Sequence, residues 1–301
     1  MISPESREYI QRLREGTPFG ADGFDLDGLR ECMATRRPPV DPAVRCLPTQ
    51  IDAIPCEWVL APGADPDMRL LYLHGGGYVS GSGAFYLTLA AHISAAAGCS
   101  VLLPDYRLAP EHPFPAGLED CVRAHEAITR IGPAGPAPAK ATFIAGDSAG
   151  GGLTLATLLA LRDRQLPQPK GAIPISPFTD LTLSGESIQS EGNLDPIMYP
   201  KCLPDFVKLY VTDADLRNPL ASPVFADYTG IPPLLIQVGE HEVIRDDSTR
   251  TAAKARADGA SVTLEIWPGM FHVFQSHEPL LPEARQAIDH IADFIRSCLT
   301  G

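Results

Sequence analysis

The chain has 301 residues, enough for one large or two modest domains with a real core. Its 45% hydrophobic and 20% charged content is ordinary for a globular protein. A net charge of −13 excludes a phosphate-neutralising face for nucleic acid and disfavours adsorption to anionic membranes.

The N-terminus, Ser3-Pro4-Glu5-Ser6, reads as a helix start, with Ser3 as cap and Pro4 in the first turn. It shows no basic region followed by an apolar stretch, so no signal peptide is expected. No uncharged run of about 18 apolar residues occurs either, so no membrane span is expected. The seven cysteines are scattered, without C-x-x-C and without histidine clustering. They read as reduced thiols of a cytoplasmic protein, not as a metal site or disulfide framework. Residues 3–36 predict two helices separated by Gly16-Thr17-Pro18-Phe19-Gly20, and Arg36-Arg37-Pro38-Pro39 breaks the pattern.

From about Pro48 the periodicity changes. Strands are predicted at 56–60 and 68–73 around a Pro/Gly turn, then at 100–103, 141–145, 172–176, 234–238 and 262–267. Helices are predicted at 84–97, 118–131, 153–161, 250–258 and 282–299. Strands alternating with helices argue for a largely parallel sheet covered on both faces. Residues 178–220 carry no strand of the expected period, only a Ser/Gly/Asn-rich stretch and an amphipathic run at 199–210. A long insertion in a compact α/β domain is usually functional, so it is expected to cap the site together with the N-terminal helices. The expected division is 1–45 for the N-terminal cap helices, 46–177 with 221–301 for the catalytic domain, and 178–220 for the cap insertion.

Gly146-Asp147-Ser148-Ala149-Gly150 fits G-x-S-x-G and lies between a predicted strand and a predicted helix. That context makes Ser148 a candidate nucleophile. A serine hydroxyl needs a base, a group to orient the base, and donors for the oxyanion that forms. On such sheets the order is serine, acid, histidine, each at the carboxyl end of a strand. Of the eight histidines, only His272 sits just past the last predicted strand, in Pro268-Gly269-Met270-Phe271-His272. His92 and His125 fall inside helices, His112 in a Pro-rich loop, and His277 and His290 further along. The acid should follow strand 234–238, where Glu240, Glu242, Asp246 and Asp247 compete. The two aspartates read as the start of the next helix. The residues alone do not separate Glu240 from Glu242. Donors are expected from the N–H of Ala149 and from His74-Gly75-Gly76-Gly77, where three glycines let backbone approach a small anion. His74 reads as orienting that loop. The loop matches no nucleotide-phosphate pattern. No cofactor and no metal are expected.

These motifs, with Asp105-Tyr106-Arg107-Leu108-Ala109-Pro110-Glu111 between them, resemble the hormone-sensitive-lipase-like branch of the α/β-hydrolases, which contains many bacterial carboxylesterases. Ala221-Ser222-Pro223 and Pro232-Pro233-Leu234 add to the likeness, which covers roughly residues 55–299. The resemblance implies an α/β-hydrolase fold, with a mostly parallel eight-stranded sheet and a helical cap. It implies Ser148 as nucleophile, His272 as base, and Gly76, Gly77 and Ala149 as oxyanion donors. The family's acid stands two residues before a Leu or Ile that precedes Arg-Asp, which selects Glu242, although most members have Asp there. Asp147 and Glu119 look like scaffold residues that hold the turn.

The expected activity is hydrolysis of short-to-medium acyl esters of small molecules. An amidase or an acetylhydrolase of a small natural product is the alternative, because the triad does not distinguish ester from amide. A non-catalytic receptor on this fold, like the gibberellin receptors of plants, would lack the histidine that His272 supplies. Tyr78, Phe19, Phe178, Met198, Leu203 and Phe206 are expected to line the substrate pocket. A homodimer through the last strand and closing helix is expected by analogy.

Overall fold

The computed structural model describes residues 2–35, 39–191 and 194–300. The break expected at Arg36-Arg37-Pro38-Pro39 lies, apart from Pro39, outside the described residues. Eight strands form one sheet: β1 Arg45–Ile51, β2 Ile54–Leu60, β3 Asp65–Leu73, β4 Cys99–Pro104, β5 Ala141–Asp147, β6 Ala172–Ile175, β7 Leu234–Gly239 and β8 Val262–Trp267. Their spatial order is β1-β2-β4-β3-β5-β6-β7-β8. β2 pairs antiparallel with both β1 and β4, and the remaining pairs are parallel.

β1 is the strand that the sequence pattern does not reveal. It contains Pro48, which cannot donate to a ladder, and it alternates only weakly in burial. An edge strand with one partner tolerates both. The central strands are buried on both faces, and their side chains alternate between two cores. Leu71, Leu73, Leu102, Ile144 and Ile236 face α4 (Ala116–Ile128), α5 (Ala149–Asp163) and α8 (Arg245–Ala257). Leu70, Tyr72, Val101, Leu103 and Phe143 face α3 (Leu87–Ala97) and α9 (Pro282–Thr300).

Three further helices lie outside this frame: α1 Pro4–Arg14, α2 Leu26–Thr35 and α7 Leu203–Tyr210, with a single turn, α6, at Ser187–Ser190. Ser3 caps α1, its hydroxyl accepting from the Ser6 N–H at 3.1 Å. Ser3 also donates from backbone and side chain to Glu283 at 2.6 and 3.0 Å, which ties α1 to the start of α9. α7 buries Leu203, Phe206, Val207 and Tyr210, the one-faced spacing of an amphipathic helix. Phe19 forms an isolated parallel bridge with Met198, so the N-terminal arm is joined to the 178–220 segment.

Candidate active site

Ser148 stands where β5 gives way to α5, at φ 53° and ψ −121°. A non-glycine residue at that φ is strained, and the sharp turn holds its hydroxyl clear of strand and helix. The turn needs small neighbours. A Cβ on Gly146 would lie 2.4 Å from the Gly150 carbonyl oxygen, and one on Gly150 2.0 Å from that of Leu73. Both flanking glycines are therefore steric requirements of the turn.

Three loops leaving parallel strands converge on this serine. His272, in the loop after β8, points Nε2 at Ser148 Oγ, 2.9 Å away, and Nδ1 at Glu242 Oε2, 3.0 Å away. Glu242 follows β7 and is fully buried. Its Oε1 accepts from Ser176 Oγ at 2.7 Å and from the Gly239 N–H at 2.5 Å. Burial opposes charging His272, but the Glu242 hydrogen bond and the negative charges of Glu242, Asp195 and Asp147 outweigh it and raise its pKa above 6.5.

Glu240 is exposed and turned the other way, its Oε2 accepting from the Gly269 N–H at 2.8 Å. It steadies the turn that leads to His272. Asp246 lies in the first turn of α8 and accepts from the Ser187 N–H at 3.0 Å. Asp247, also in that turn, is buried and accepts from Thr179 and Asp180 N–H groups at 2.7 and 2.8 Å.

The glycine loop follows β3. Gly76 and Gly77 have φ of 120° and 63° and border the same cavity as Ser148 and His272. Ala149 is the first residue of α5, so its N–H has no intrahelical acceptor. Asp147 locks loop to turn: its carboxylate accepts from Tyr72 at 2.9 Å, Tyr86 at 2.9 Å and the Gly75 N–H at 3.1 Å. Burial pushes this carboxyl up to about 6, against those hydrogen bonds and the His272 charge. His74 is buried, with Nδ1 2.8 Å from the Gly75 carbonyl and its ring stacked on Tyr106 at 4.2 Å. These contacts hold its ring against the start of the glycine loop.

The cavity has a volume of about 730 Å³ and a largely apolar wall. Phe19, Phe178, Met198, Leu203 and Phe206 line it. Tyr78 does not. Its ring lies flat on Tyr210 at 3.9 Å, its hydroxyl donates to the Phe178 carbonyl at 2.7 Å, and it is 3% exposed. Its backbone, at φ 67°, turns the loop. Tyr78 is a packing residue behind the wall. Glu119 also departs from expectation: it pairs with Arg164 at the end of α5, away from the serine turn. Its neighbour Asp120 is the buried one, accepting two hydrogen bonds of 2.8 Å from Arg107.

The sequence reading missed two polar residues. Ser176 links Glu242 to the loop of His272, since its Oγ also accepts from the Val273 N–H at 3.2 Å. Asp195 is buried near the same pair. Ser176 gave no signal beyond its place at the end of a strand before a proline. The cavity wall also takes Tyr9, Ile197, Ser276 and His277 from loops and helices far apart in sequence. Among the described residues no group of three or more His, Cys, Asp or Glu could hold a metal ion. Among them also, no helix is long and apolar enough to cross a membrane.

A doubly covered parallel sheet, a strained serine between strand and helix, and a histidine delivered from the last strand define a hydrolase of the α/β class. Residues 70–276 match the alpha/beta hydrolase fold family. The chain is 43% identical over 241 residues to an acetyl-hydrolase of Streptomyces hygroscopicus, covering 80% of this chain and 79% of the relative. It is 39% identical, at a TM-score of 0.88 and covering 99% of each chain, to a crystal structure of an esterase from the bacterial hormone-sensitive lipase family. It superimposes at a TM-score of 0.93, with 41% identity over 99% of this chain and 100% of the other, on crystalline EstE5 soaked with p-nitrophenyl butyrate. The protein thus belongs to the α/β-hydrolases and, within them, to the hormone-sensitive-lipase-like carboxylesterases, and is a carboxylic ester hydrolase.

Proposed function

We propose that the protein hydrolyses short-to-medium acyl esters by two-step acyl transfer through Ser148, His272 and Glu242. The observation that carries this reading is the unbroken hydrogen-bonded line from Glu242 through His272 to Ser148, at 3.0 and 2.9 Å. Ser148 attacks the ester carbonyl while His272 Nε2 takes its proton. The N–H groups of Gly76, Gly77 and Ala149 receive the oxyanion. His272 then gives the proton to the departing alcohol, and water hydrolyses the acyl-enzyme with the same histidine as base. Glu242 holds the imidazole tautomer and stabilises the imidazolium.

Residues 1–45 and 178–220 act as a cap over the catalytic domain formed by 46–177 and 221–301. This division is supported by the bridge between Phe19 and Met198 and by the aromatic contact of Phe19 with Phe206 at 5.9 Å. The leaving alcohol departs on the His272 side, toward Val273, Ser276 and His277. The acyl group then lies toward Gly77 and Phe206. A Cβ on Gly77 would come within 2.2 Å of the Phe206 ring, so that ring closes the acyl side tightly and favours short chains. The 43% identical acetyl-hydrolase supports the small-acyl reading and keeps an acetylhydrolase or amidase of a small natural product as the second reading. A cytoplasmic location is supported by seven free thiols. A homodimer through β8 and α9 is supported by Ile266, 45% exposed on the edge strand.

Purified protein assayed on p-nitrophenyl acetate, butyrate and longer esters beside matched anilides tests the substrate class. Activity should fall with chain length and be weak on anilides. Ser148→Ala should fold normally and lose about three or more orders of magnitude of turnover. Retained turnover in that variant would remove Ser148 from the mechanism.

A further inference from the structure

Asp195 is a buried carboxylate that the acyl-transfer steps leave unused. It is 3% exposed. Its Oδ1 accepts from the N–H groups of Ile197 at 2.9 Å and Met198 at 3.3 Å, and its Oδ2 from that of Val243 at 3.4 Å. Ile197 and Met198 wall the cavity, while Val243 directly follows Glu242. Residues 195–199 form a strap over the cavity, and Phe19 is woven onto it: its N–H donates to the Ile197 carbonyl at 3.0 Å, and its carbonyl accepts from the Tyr199 N–H at 2.9 Å. One carboxylate therefore joins the strap, the N-terminal arm it carries, and the loop that presents the acid.

The titratable groups that act on Asp195 are His272 and Glu242, and Asp195 in turn acts on the Cys202 thiol. Of the nearby cations, Arg14 bonds the carbonyl of neighbouring Leu194 at 3.3 Å, and Arg245 bonds Glu191 at 3.2 Å, on the turn that leads into Asp195. Burial pushes the Asp195 carboxyl up to about 6; the His272 charge works against that and Glu242 adds to it. An uncharged Asn or Ser could accept backbone hydrogen bonds at lower desolvation cost. A buried carboxylate gains most where a positive charge forms nearby, and His272 becomes an imidazolium at each transfer. From the imidazole's side, the charges that favour its protonation are Glu242, Asp195 and Asp147.

We infer that Asp195 is a positioning residue of the catalytic centre, coupling the seat of the strap over the cavity to the Glu242–His272 pair and adding a second negative charge that stabilises the imidazolium. This rests on the triad reading above. Asp195→Asn keeps an oxygen for Ile197 and Met198 but removes the charge. The test reads the rate at which a fluorophosphonate labels Ser148, across pH, with Ser148→Ala as the blank. This probe reports nucleophile activation without an acyl substrate. The variant should label about tenfold more slowly at neutral pH. Its acid limb should move to lower pH by about half a unit, because the imidazole has lost a negative neighbour. In the Glu242→Gln background the same substitution should change the rate less, since the two charges act on one histidine. If Asp195→Asn does not accumulate as folded protein, Asp195→Glu takes its place. It should hold the acid limb in place while raising KM for p-nitrophenyl butyrate. For Asp195→Asn, a pH profile superimposable on the wild type, with or without a fall in Tm, would make Asp195 a structural anchor alone and overturn the inference; for Asp195→Glu, an unchanged KM or a displaced acid limb would overturn it. Absence of labelling in the wild type would overturn the triad reading instead.

Discussion

Glu240 and Glu242 stand two residues apart, yet one is exposed on a turn and the other is wholly buried against a histidine. Their chemistry is identical, so their roles differ only through what each carboxylate touches. Glu242→Gln should lower kcat by about 10³–10⁴-fold, since the amide can present its donor to Nδ1 and impose the wrong tautomer. Glu240→Gln should stay within a few-fold, because an amide oxygen can still accept from Gly269. Steady-state kinetics of the two variants checks the ranking, and its reversal would transfer the role. On the proposed mechanism His272 must be neutral to accept the proton, and its pKa is raised. The acid limb of kcat/KM should therefore fall above pH 6.5, with activity lost as pH drops through it. A limb below pH 6 would contradict the charge environment described for this imidazole.

At the scale of elements, α2 packs Leu26, Leu29 and Met33 onto the cores and adds the polar contacts of one side chain. Arg30 donates to the Val79 carbonyl at 2.8 Å and the Ala109 carbonyl at 2.8 Å, and forks onto Glu111 at 2.7 Å twice. The ion pair itself is half-exposed and worth little. The two carbonyl contacts tie the helix to the loops after β3 and β4. Leu29, one residue earlier, lines the cavity. Arg30→Ala should therefore raise KM for p-nitrophenyl butyrate several-fold while leaving kcat within about twofold, because substrate enclosure is lost and the triad is untouched. A fall in kcat with KM unchanged would place α2 in the chemical step. β1 teaches a different lesson about elements. Its proline and weak alternation hide it in the sequence, and only its pairing with β2 makes it a strand. α5 begins four residues before the predicted span because its first turn is Ala149 and three glycines, poor helix formers that the sheet and the serine turn hold in place.

The whole molecule buries several carboxyls at a cost. Burial lifts Asp147 and Asp195 to about 6 and Asp247 to about 7, from an ordinary value of 3.8. A raised folded-state carboxyl pKa means that the native state holds its proton more tightly than the unfolded chain does. Stability contributed this way grows as pH falls through the folded pKa. His272, also raised, works in the same direction. His125 works oppositely, being buried and lowered to about 4, so its contribution is lost as pH falls from 6.5 toward 4. The two sets separate above pH 6.5. Tm should rise by about 1–3 °C between pH 8 and pH 6.5, helped by reduced self-repulsion in a chain of net charge −13. Asp247→Asn should flatten that slope, and scanning calorimetry across the range would show it. A Tm falling over this interval would refute the assignment.

The sequence by itself determined the sheet class, seven of its eight strands, the serine turn, the glycine loop and the histidine. Each of these is a local pattern: a β-branched run, a glycine required by a close approach, or a histidine placed just past a strand. The order of motifs along the chain then sufficed to pick out the family. The residues alone left Glu240 and Glu242 open and the family likeness picked Glu242; the tertiary structure puts that carboxylate against His272, and it alone decided that Ser176 and Asp195 stand behind that pair and that Tyr78 packs against Tyr210 instead of lining the cavity. Those outcomes depend on loops from β6, β7 and β8 and a distant strap meeting at one point. No spacing along the chain encodes such a meeting, because burial and hydrogen-bond partners exist only once the sheet has brought those ends together.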